Sequence, residues 1–381
     1  MTTPAPGSLA GRLAAGSARA ALTFAGQGVD PLRELAALVR ERPEAAATAA
    51  AASVVLVQEA ERHATSGRYR HGLDLASWAA DPEGAPPGAY LASTAVSHPL
   101  ILVTQLAAWR VLWDDGLGAV VAADGIAALT GHSQGLYAAL AVAGAPGGLV
   151  DDHHLERALR AVCLQGRLMA DAEVHVAAVD EVAASLVTGS LVIALHNGPT
   201  RFVVSGSPEA LARLRERMEA VARQEAAARK RGARGGTPLS FTWSPLPVST
   251  PFHGPEHAAP LARFLAEADP AWLPAPDELW APVVSGADGR DLRKVPDLLE
   301  AVAAGQFVQP VRWDRAVAAL VDHGASWVVD LGPGTDVARF DTELVRGTGA
   351  RALGLATPEG RRILSTPGAA PEGPDLRYAD L

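Results

Sequence analysis

Short apolar runs alternate with longer amphipathic runs along most of this chain. The runs at 20–24, 126–130 and 327–331 have the length and residue types of buried strands, whereas 31–40 and 99–113 repeat apolar residues with helical spacing. Alternating strand and helix signals are typical of α/β proteins with a largely parallel sheet. The pattern therefore predicts an α/β fold.

The pattern changes after about residue 172 and changes back near 245. Short β-like runs at 174–179, 191–196 and 201–205 flank helices, one of which opens with Ser207 and Pro208 as cap and first-turn proline. We therefore predict a small inserted subdomain within a larger core. The predicted segments are a flexible N-terminus at 1–17, a core at 18–171 and 247–356, an insert at 172–246, and a Pro- and Gly-rich tail or linker at 357–381.

Composition narrows the class of protein. The 381 residues are 49% hydrophobic, which suits a well-buried core, and the net charge of −9 argues against nucleic acid as the main partner. The single cysteine, Cys163, excludes an internal disulfide and fits a reducing cytoplasm. No stretch has about 18 uninterrupted apolar residues, and the first 16 residues lack the pattern of a signal peptide, so we expect neither a membrane span nor export.

The most informative motif is Gly131-His132-Ser133-Gln134-Gly135, which lies between a strand-like run and a helix-like run. Glycines on both sides remove the side chains that would clash in a tight strand-to-helix turn, and the turn exposes the serine hydroxyl. The pentapeptide alone is a weak signal, but both flanks agree with it. Ser133 is therefore the candidate nucleophile, and an ordinary turn serine is the alternative.

A serine nucleophile needs a base and an oxyanion hole. His253 follows a proline-restricted apolar turn and is the strongest of the eleven histidines, although most loop histidines are not bases. The backbone N–H of Gln134, at the start of a helix, is one candidate oxyanion donor. The glycine-flanked loop 24–28 is the natural source of the second.

Two other polar clusters have a functional and a plain interpretation. Residues 151–154 (Asp-Asp-His-His) resemble a metal-ligand cluster, but an acidic helix start that suits the helix dipole is the favoured interpretation. Residues 229–236 are basic and Gly-rich. They form either a contact for coenzyme A phosphates or an acidic carrier, or a solvated loop.

Five ordered segments together resemble the acyltransferase family that moves acyl groups between coenzyme A and acyl carrier protein. The resemblance covers about residues 18–356 and is strongest to the loading acyltransferase (acetyltransferase) domain of actinobacterial and fungal type I fatty acid synthases. That domain also has G-H-S-Q-G, and Leu136 stands where many malonyl transferases have glutamate. The five segments are 24–28, the turn around Ser133, 197–206, 249–253 and 330–334.

The resemblance implies a fold, a set of roles and a set of partners. The fold would be an α/β-hydrolase-like core with a parallel sheet and an inserted ferredoxin-like subdomain. The donor would be an acyl-CoA, with no permanently bound cofactor or metal, and the acceptor would be an acyl carrier protein, with other synthase domains as possible neighbours. The implied roles are Ser133 as nucleophile, His253 as base, Gln27 and Gln134 as oxyanion donors, Gln105 and Asn197 as site-lining residues, and the Arg312 carbonyl as the group that orients the histidine.

The chain departs from malonyl-specific members at one telling position. Those members have an arginine that pairs with the free malonyl carboxylate, where this chain has Gln165. Glutamine cannot replace a bidentate, charge-assisted contact, so a neutral, acetyl-like acyl group is favoured. Arg167 projects about 200° further round the helix and should not substitute. A basic residue that enters the pocket from elsewhere is the alternative.

The expected function is therefore transfer of a neutral acyl group in fatty acid or polyketide synthesis, through an acyl-serine. Three alternatives stay open at this point. The same serine could serve a malonyl-CoA:acyl carrier protein transacylase or a thioesterase, because water and a thiol differ only in access to the ester. The chain could also be a non-catalytic synthase domain, against which the intact Ser133 and His253 argue.

Overall fold

A five-stranded parallel sheet forms the centre of the computed structural model, which describes residues 2–27, 30–183, 191–231, 241–244 and 252–370, without the side chains of 171–183. The sheet order is β5-β2-β1-β7-β8, and every neighbouring pair is parallel. The predicted α/β class with a mainly parallel sheet is confirmed. The strands of the chain are β1 (Ala20–Phe24), β2 (Ile126–Gly131), β3 (Val192–His196), β4 (Phe202–Ser205), β5 (Val283–Val284), β6 (Val311–Arg312), β7 (Trp327–Asp330) and β8 (Arg351–Gly354).

Strands β1 and β2 are buried along their whole length, as their continuous apolar sequences predict. They pair in parallel with Leu22 opposite Leu129 and Phe24 opposite Gly131. Their carboxyl ends therefore reach the same edge of the sheet. Ligands of open α/β sheets bind at this edge, and the loops after these two strands lie side by side there.

Helices cover both faces of the sheet. The most buried is α6, which contacts α2, α3 and α9. The helices are α1 (Leu9–Ala14), α2 (Pro31–Glu41), α3 (Pro43–Arg62), α4 (Leu75–Ala80), α5 (Gly88–Leu91), α6 (Thr94–Leu112), α7 (Gly118–Ala122), α8 (Leu136–Gly144), α9 (Asp152–Ala183), α10 (Pro208–Lys230), α11 (Ala258–Glu267), α12 (Leu298–Phe307), α13 (Trp313–Asp322), α14 (Asp336–Leu344) and α15 (Pro358–Ser365).

One helical stretch, Thr94–Ala122, is long and apolar enough to cross a membrane by composition. However, 94% of its most apolar 18-residue segment is buried inside the fold. Burial by protein on all sides explains the apolar sequence, because a helix in the core of a large domain lacks a solvent-facing side.

A second sheet of three strands has the order β4-β3-β6. Strands β3 and β4 are antiparallel and come from the predicted insert, whereas β6 comes from the core and pairs in parallel with β3. Helix α10 follows β4 and begins with the predicted Ser207 cap. The prediction of a β-like run at 174–179 is wrong, because these residues belong to α9, which continues to Ala183.

Both chain ends contain ordered elements that the pattern missed. Helix α1 is capped by Ser8 and buries Leu9 and Leu13, so the prediction of a flexible segment at 1–17 is wrong for this part. Helix α15 buries Ile363 and Leu364, which corrects the predicted tail, while 371–381 lie outside the described residues. Each helix is too short for its few apolar side chains to give a clear period.

Candidate active site

Ser133 lies on a sharp turn between β2 and α8, at the edge of the sheet. Its φ of 53° is in the left-handed region, which is uncommon for a residue with a side chain. A Cβ at Gly131 would lie 2.0 Å from the backbone of Gly135 and Leu136, so only glycine allows this return of the chain. The turn has the form of a nucleophile elbow, as the sequence predicts.

The loop after β1 packs directly against this turn. A Cβ at Gly135 would lie 2.2 Å from the Phe24 carbonyl oxygen, and one at Gly26 would lie 3.3 Å from the Ser133 Cβ. The two glycines therefore let the loop and the turn approach to van der Waals distance. The structure thus brings residues 24–27 beside the serine, whereas Gly28 lies outside the described residues.

His253 lies against the serine although 120 residues separate them. The Ser133 Oγ is 2.8 Å from the His253 Nε2. The imidazole is 2% exposed, and His253 also has a positive φ, of 59°. The structure therefore joins the two residues that the sequence proposes as nucleophile and base. The preceding residues 249–251 are outside the described part of the chain.

Two main-chain carbonyls hold the other imidazole nitrogen. The His253 Nδ1 is 3.1 Å from the Gly305 oxygen and 3.0 Å from the Gln309 oxygen. Because carbonyl oxygens only accept, Nδ1 must carry the proton. Nε2 is then the unprotonated nitrogen that accepts from the Ser133 hydroxyl.

The assignment of the histidine-orienting role to Arg312 is wrong, because the carbonyls that contact the imidazole are those of Gly305 and Gln309. Arg312 lies in β6, where its N–H donates to the Gly286 oxygen over 2.7 Å and its side chain pairs with Asp314. Helix α12 ends at Phe307, and the carbonyls of its last turn and of the following loop are the ones that reach the imidazole.

Burial keeps the imidazole of His253 neutral. Desolvation lowers the pKa of His253 from its ordinary 6.5 to about 4, against the hydrogen bonds to the two carbonyls, which favour the charged form. The same cause lowers the pKa of His98 to about 3 and also lowers the pKa of His132. A neutral imidazole at physiological pH is the form that can accept a proton.

The side chains of the two predicted oxyanion residues point to other partners. The Gln27 Nε2 donates to the Ser97 Oγ over 3.1 Å, and the Gln134 Nε2 donates to the His98 oxygen over 2.9 Å. Both partners belong to the first turns of α6. The side-chain amides are therefore committed to these partners, and the oxyanion role of the two backbone N–H groups stays a prediction.

Gln105 and Asn197 support the walls of the site. The Gln105 Nε2 donates to the Ala25 oxygen over 2.6 Å and to the Gly332 oxygen over 3.2 Å, and so holds the loop after β1 from behind. The Asn197 Oδ1 lies 2.8 Å from the His132 Nε2. Both residues thus hold segments next to the serine, and their role in lining the site stays a prediction.

Gln165 is part of a buried hydrogen-bond chain that ends on the nucleophile. The Tyr137 hydroxyl donates to its Oε1 over 2.6 Å, and its Nε2 donates to the Gln306 Oε1 over 3.4 Å. The Gln306 Nε2 then donates to the Ser133 carbonyl oxygen over 2.9 Å. Arg167 follows two residues later on α9, about 200° round the helix.

Sequence reasoning missed Gln306, Gln309 and Tyr137. The first two follow the insert by many residues, Gln306 in the last turn of α12 and Gln309 in the loop after it, with no catalytic pattern of their own. Tyr137 could have been found, since it lies four residues after Ser133 and therefore on the same side of the helix.

Gln306 is expected to position the nucleophile. In a Gln306→Leu variant, the Ser133 carbonyl and the Gln165 amide lose a buried partner, which typically costs about 1–3 kcal/mol per group. We expect the kcat for acyl transfer to fall about 10- to 100-fold, with little change in KM. Steady-state kinetics test this, with exposed Glu300→Gln on the same helix as the matched control. An unchanged kcat in the leucine variant would contradict the role.

The two remaining clusters of the sequence differ in how far the structure describes them. Asp151 accepts a hydrogen bond from the His154 N–H over 2.9 Å, as a cap at the start of α9 does. The ligand atoms of Asp151, His153 and His154 lie within 4.8 Å of one another. Of the basic stretch 229–236, the described residues 229–231 end α10, and the others lie outside the described residues.

Comparisons with known proteins agree with this geometry. The family model described as "Starter unit:ACP transacylase in aflatoxin biosynthesis" matches residues 22–148, which include Ser133. The family model "Fatty acid synthase central AT domain" matches residues 169–244. Together the two matches cover the first half of the core and most of the predicted insert.

Individual relatives point the same way. The fatty acid synthase beta subunit aflB of Emericella nidulans is 29% identical over 81% of this chain, which spans only 16% of that subunit. The malonyl CoA-acyl carrier protein transacylase of Mycobacterium tuberculosis is 28% identical over 69% of this chain and 79% of its own length. The crystal structure of the malonyl-CoA:acyl carrier protein transacylase FabD of Xanthomonas oryzae superposes with a TM-score of 0.62 at 26% identity, over 90% of this chain and 96% of that one.

Proposed function

We propose that this chain, which belongs to the acyl-CoA:acyl carrier protein acyltransferase family, transfers a neutral, acetyl-like acyl group from coenzyme A to an acyl carrier protein. The observation that carries the proposal is the 2.8 Å contact between the Ser133 Oγ and a His253 imidazole whose Nδ1 is held by two carbonyls. The relatives whose names include fatty acid synthase or transacylase support the reaction class.

The first half-reaction acylates the serine. His253 takes the Ser133 hydroxyl proton at Nε2 while the Oγ attacks the thioester carbonyl carbon. The oxyanion of the tetrahedral intermediate accepts hydrogen bonds from the backbone N–H groups of Gln27 and Gln134. When the intermediate collapses, the carbon–sulfur bond breaks, and the coenzyme A sulfur leaves with the proton from His253.

The second half-reaction reverses these steps with a new thiol. The phosphopantetheine thiol of the carrier protein gives its proton to the His253 Nε2 and attacks the acyl-Ser133 ester. Collapse of this intermediate breaks the bond to the Oγ, which regains the proton. The chain needs no permanently bound cofactor for this scheme, because the coenzyme A thioester is itself the activated substrate.

The acyl preference rests on Gln165. A malonyl group carries a carboxylate that is costly to desolvate without a charged partner. Gln165 is uncharged, so it offers no cation to a carboxylate. It is 1% exposed, and its amide already bonds to Tyr137 and Gln306. Arg167, about 200° further round the helix, is not expected to provide the missing cation. A malonyl substrate is the second candidate, favoured by the names of the transacylase relatives.

Gln165→Arg is expected to raise the kcat/KM ratio of malonyl-CoA to acetyl-CoA by about 100-fold, because it adds a bidentate partner for the carboxylate. Wild type should favour acetyl-CoA. The uncharged variant Gln165→Met is the matched control and should leave malonyl-CoA a poor substrate. Wild-type preference for malonyl-CoA would overturn the acyl assignment and leave the chemistry standing.

A thioesterase that uses the same serine differs from a transferase in the acceptor of the acyl group, which is water instead of the carrier thiol. With labelled acetyl-CoA, a transferase forms acyl-enzyme and passes the label to holo-acyl carrier protein, whereas a thioesterase releases free acid without it. Mass spectrometry of the protein after incubation with a panel of acyl-CoAs measures the intermediate directly.

We also propose a cytoplasmic location. Other synthase domains are proposed as neighbours, in keeping with the name of the fungal relative.

A further inference from the structure

A row of residues runs along one side of α8 away from the candidate nucleophile. On α8, Tyr137, Ala141 and Gly144 follow Ser133 at intervals of three or four residues, which places them on one side of the helix. The two helices pack against each other. Tyr137, one turn after the serine, lies in this interface.

The Tyr137–Gln165 pair crosses this interface close to the serine. Both side chains are 1% exposed, and the hydroxyl of Tyr137 is 2.6 Å from the Gln165 Oε1. Gln165 connects through Gln306 to the Ser133 carbonyl, so the pair lies within a short chain of contacts from the acylated atom. The pair thus fills the interface at this point with a buried aromatic ring.

A narrow crevice borders the tyrosine. Its walls come from α8, from α9 and from the segment 272–274, and they include Leu140, Gly144, Ala158 and Pro274. Most of this lining is apolar, and Arg157 at its margin donates to the Leu273 oxygen over 2.6 Å. Tyr137 itself is part of the lining, and its hydroxyl bonds to Gln165, so the crevice adjoins the contacts that lead to Ser133.

We propose that Tyr137 is a specificity-determining residue that limits the length of the acyl group. Its ring closes the acyl pocket opposite the acyl-serine, and the apolar interface behind it would extend the pocket if the ring were absent. This inference rests on the proposed function, since it assumes that Ser133 carries the acyl group. Loss of a buried ring leaves a cavity, and apolar cavities of about 150 Å³ bind molecules the size of benzene.

The test compares acetyl-CoA with hexanoyl-CoA and octanoyl-CoA as donors for wild type, Tyr137→Ala and Tyr137→Phe. We expect Tyr137→Ala to raise the kcat/KM ratio of octanoyl-CoA to acetyl-CoA at least tenfold. Tyr137→Phe keeps the ring and should keep the wild-type ratio. Tyr137→Leu shortens the side chain with less loss of volume, and it should show a smaller gain in the same direction if the alanine variant does not fold.

A second substitution tests whether the longer chain uses the crevice. Ala158 is 5% exposed and lines the crevice from α9. Adding Ala158→Leu to Tyr137→Ala should fill the space and return the ratio toward the wild-type value. A gain that survives the second substitution would place the longer chain elsewhere and overturn the proposal.

The remaining outcomes separate this proposal from the proposed function. If wild type transfers acetyl groups but the alanine and leucine variants keep its chain-length ratio, the role of Tyr137 is wrong and the function stands. An equal gain in the phenylalanine variant would likewise overturn it, because the ring would still be present. If wild type forms no acyl-enzyme with any donor, the proposed function fails first.

Discussion

Ser133→Ala is expected to abolish acyl-enzyme formation and to lower acyl transfer by roughly 10⁴-fold or more, as loss of the nucleophile does in other serine enzymes. The Oγ is the atom that bonds to the His253 Nε2, so alanine removes the attacking group and leaves the base without its proton donor. The measurement is the mass of the protein after incubation with acetyl-CoA, together with the rate of transfer to holo-acyl carrier protein.

The matched control for this prediction is Ser77→Ala, at an exposed serine on α4. It should form the acyl-enzyme like wild type. Thermal unfolding of both variants checks that the fold is retained. A covalent acyl adduct that persists in Ser133→Ala would place the nucleophile at another residue and end the account of the mechanism given above.

His253→Ala is expected to lower kcat/KM by about 10³- to 10⁴-fold at neutral pH, because the serine loses the base that accepts its proton. Exposed His71→Asn is the matched control and should keep wild-type activity. Transfer rates at saturating acyl carrier protein measure the effect. A His253→Ala rate within tenfold of wild type would remove the imidazole from the mechanism.

The wild-type pH profile gives a second measurement of the same residue. Burial lowers the pKa of His253 to about 4, and the imidazole is active when neutral. Activity should therefore stay level as pH falls below 6.5 and should decline only as pH approaches about 4. An acid limb near 6.5 would show that the base is a solvated imidazole.

The lowered pKa of His253 also affects the free energy of unfolding, because the folded chain favours the neutral imidazole and the unfolded chain favours the charged one below pH 6.5. An unfolded histidine binds a proton near pH 6.5, whereas folded His253 binds one near 4 and folded His98 near 3. The unfolded state therefore holds more protons in this window, and the free energy of unfolding falls as pH falls from about 6.5. Circular dichroism at each pH separates this loss of fold from the loss of activity.

The parts of the site that local sequence predicted are those with local causes. The turn around Ser133 needs glycine at 131 and 135 because a Cβ at either position would overlap backbone atoms, and such overlap depends on residues close in the chain or in the paired strand. The parallel sheet follows from short, fully apolar runs. Its strand order was not predicted, because order depends on crossovers that periodicity does not record.

The carbonyl predicted to orient His253 was that of Arg312, which lies three residues after Gln309, whose carbonyl binds the imidazole. The role depends on where α12 ends and on which carbonyls its last turn leaves free, and the end of a helix is the least predictable part of it. The ordered helices at 9–14 and 358–365 were missed for a related reason. Their stability comes from packing of a few side chains on the core, not from a periodic pattern of their own.

The sequence by itself determined the α/β class and the elbow motif, and it proposed Ser133 and His253 as nucleophile and base before the family resemblance added Gln165 at the clamp position. Only the tertiary structure decided that Gln309 and Gly305 hold the imidazole, that Gln306 connects Gln165 to Ser133, and that Tyr137 bonds to Gln165 and lines a crevice. The physical reason is range. Steric limits of a turn act between neighbouring residues, whereas these hydrogen bonds join residues 28 to 173 positions apart, which only the packed chain brings together.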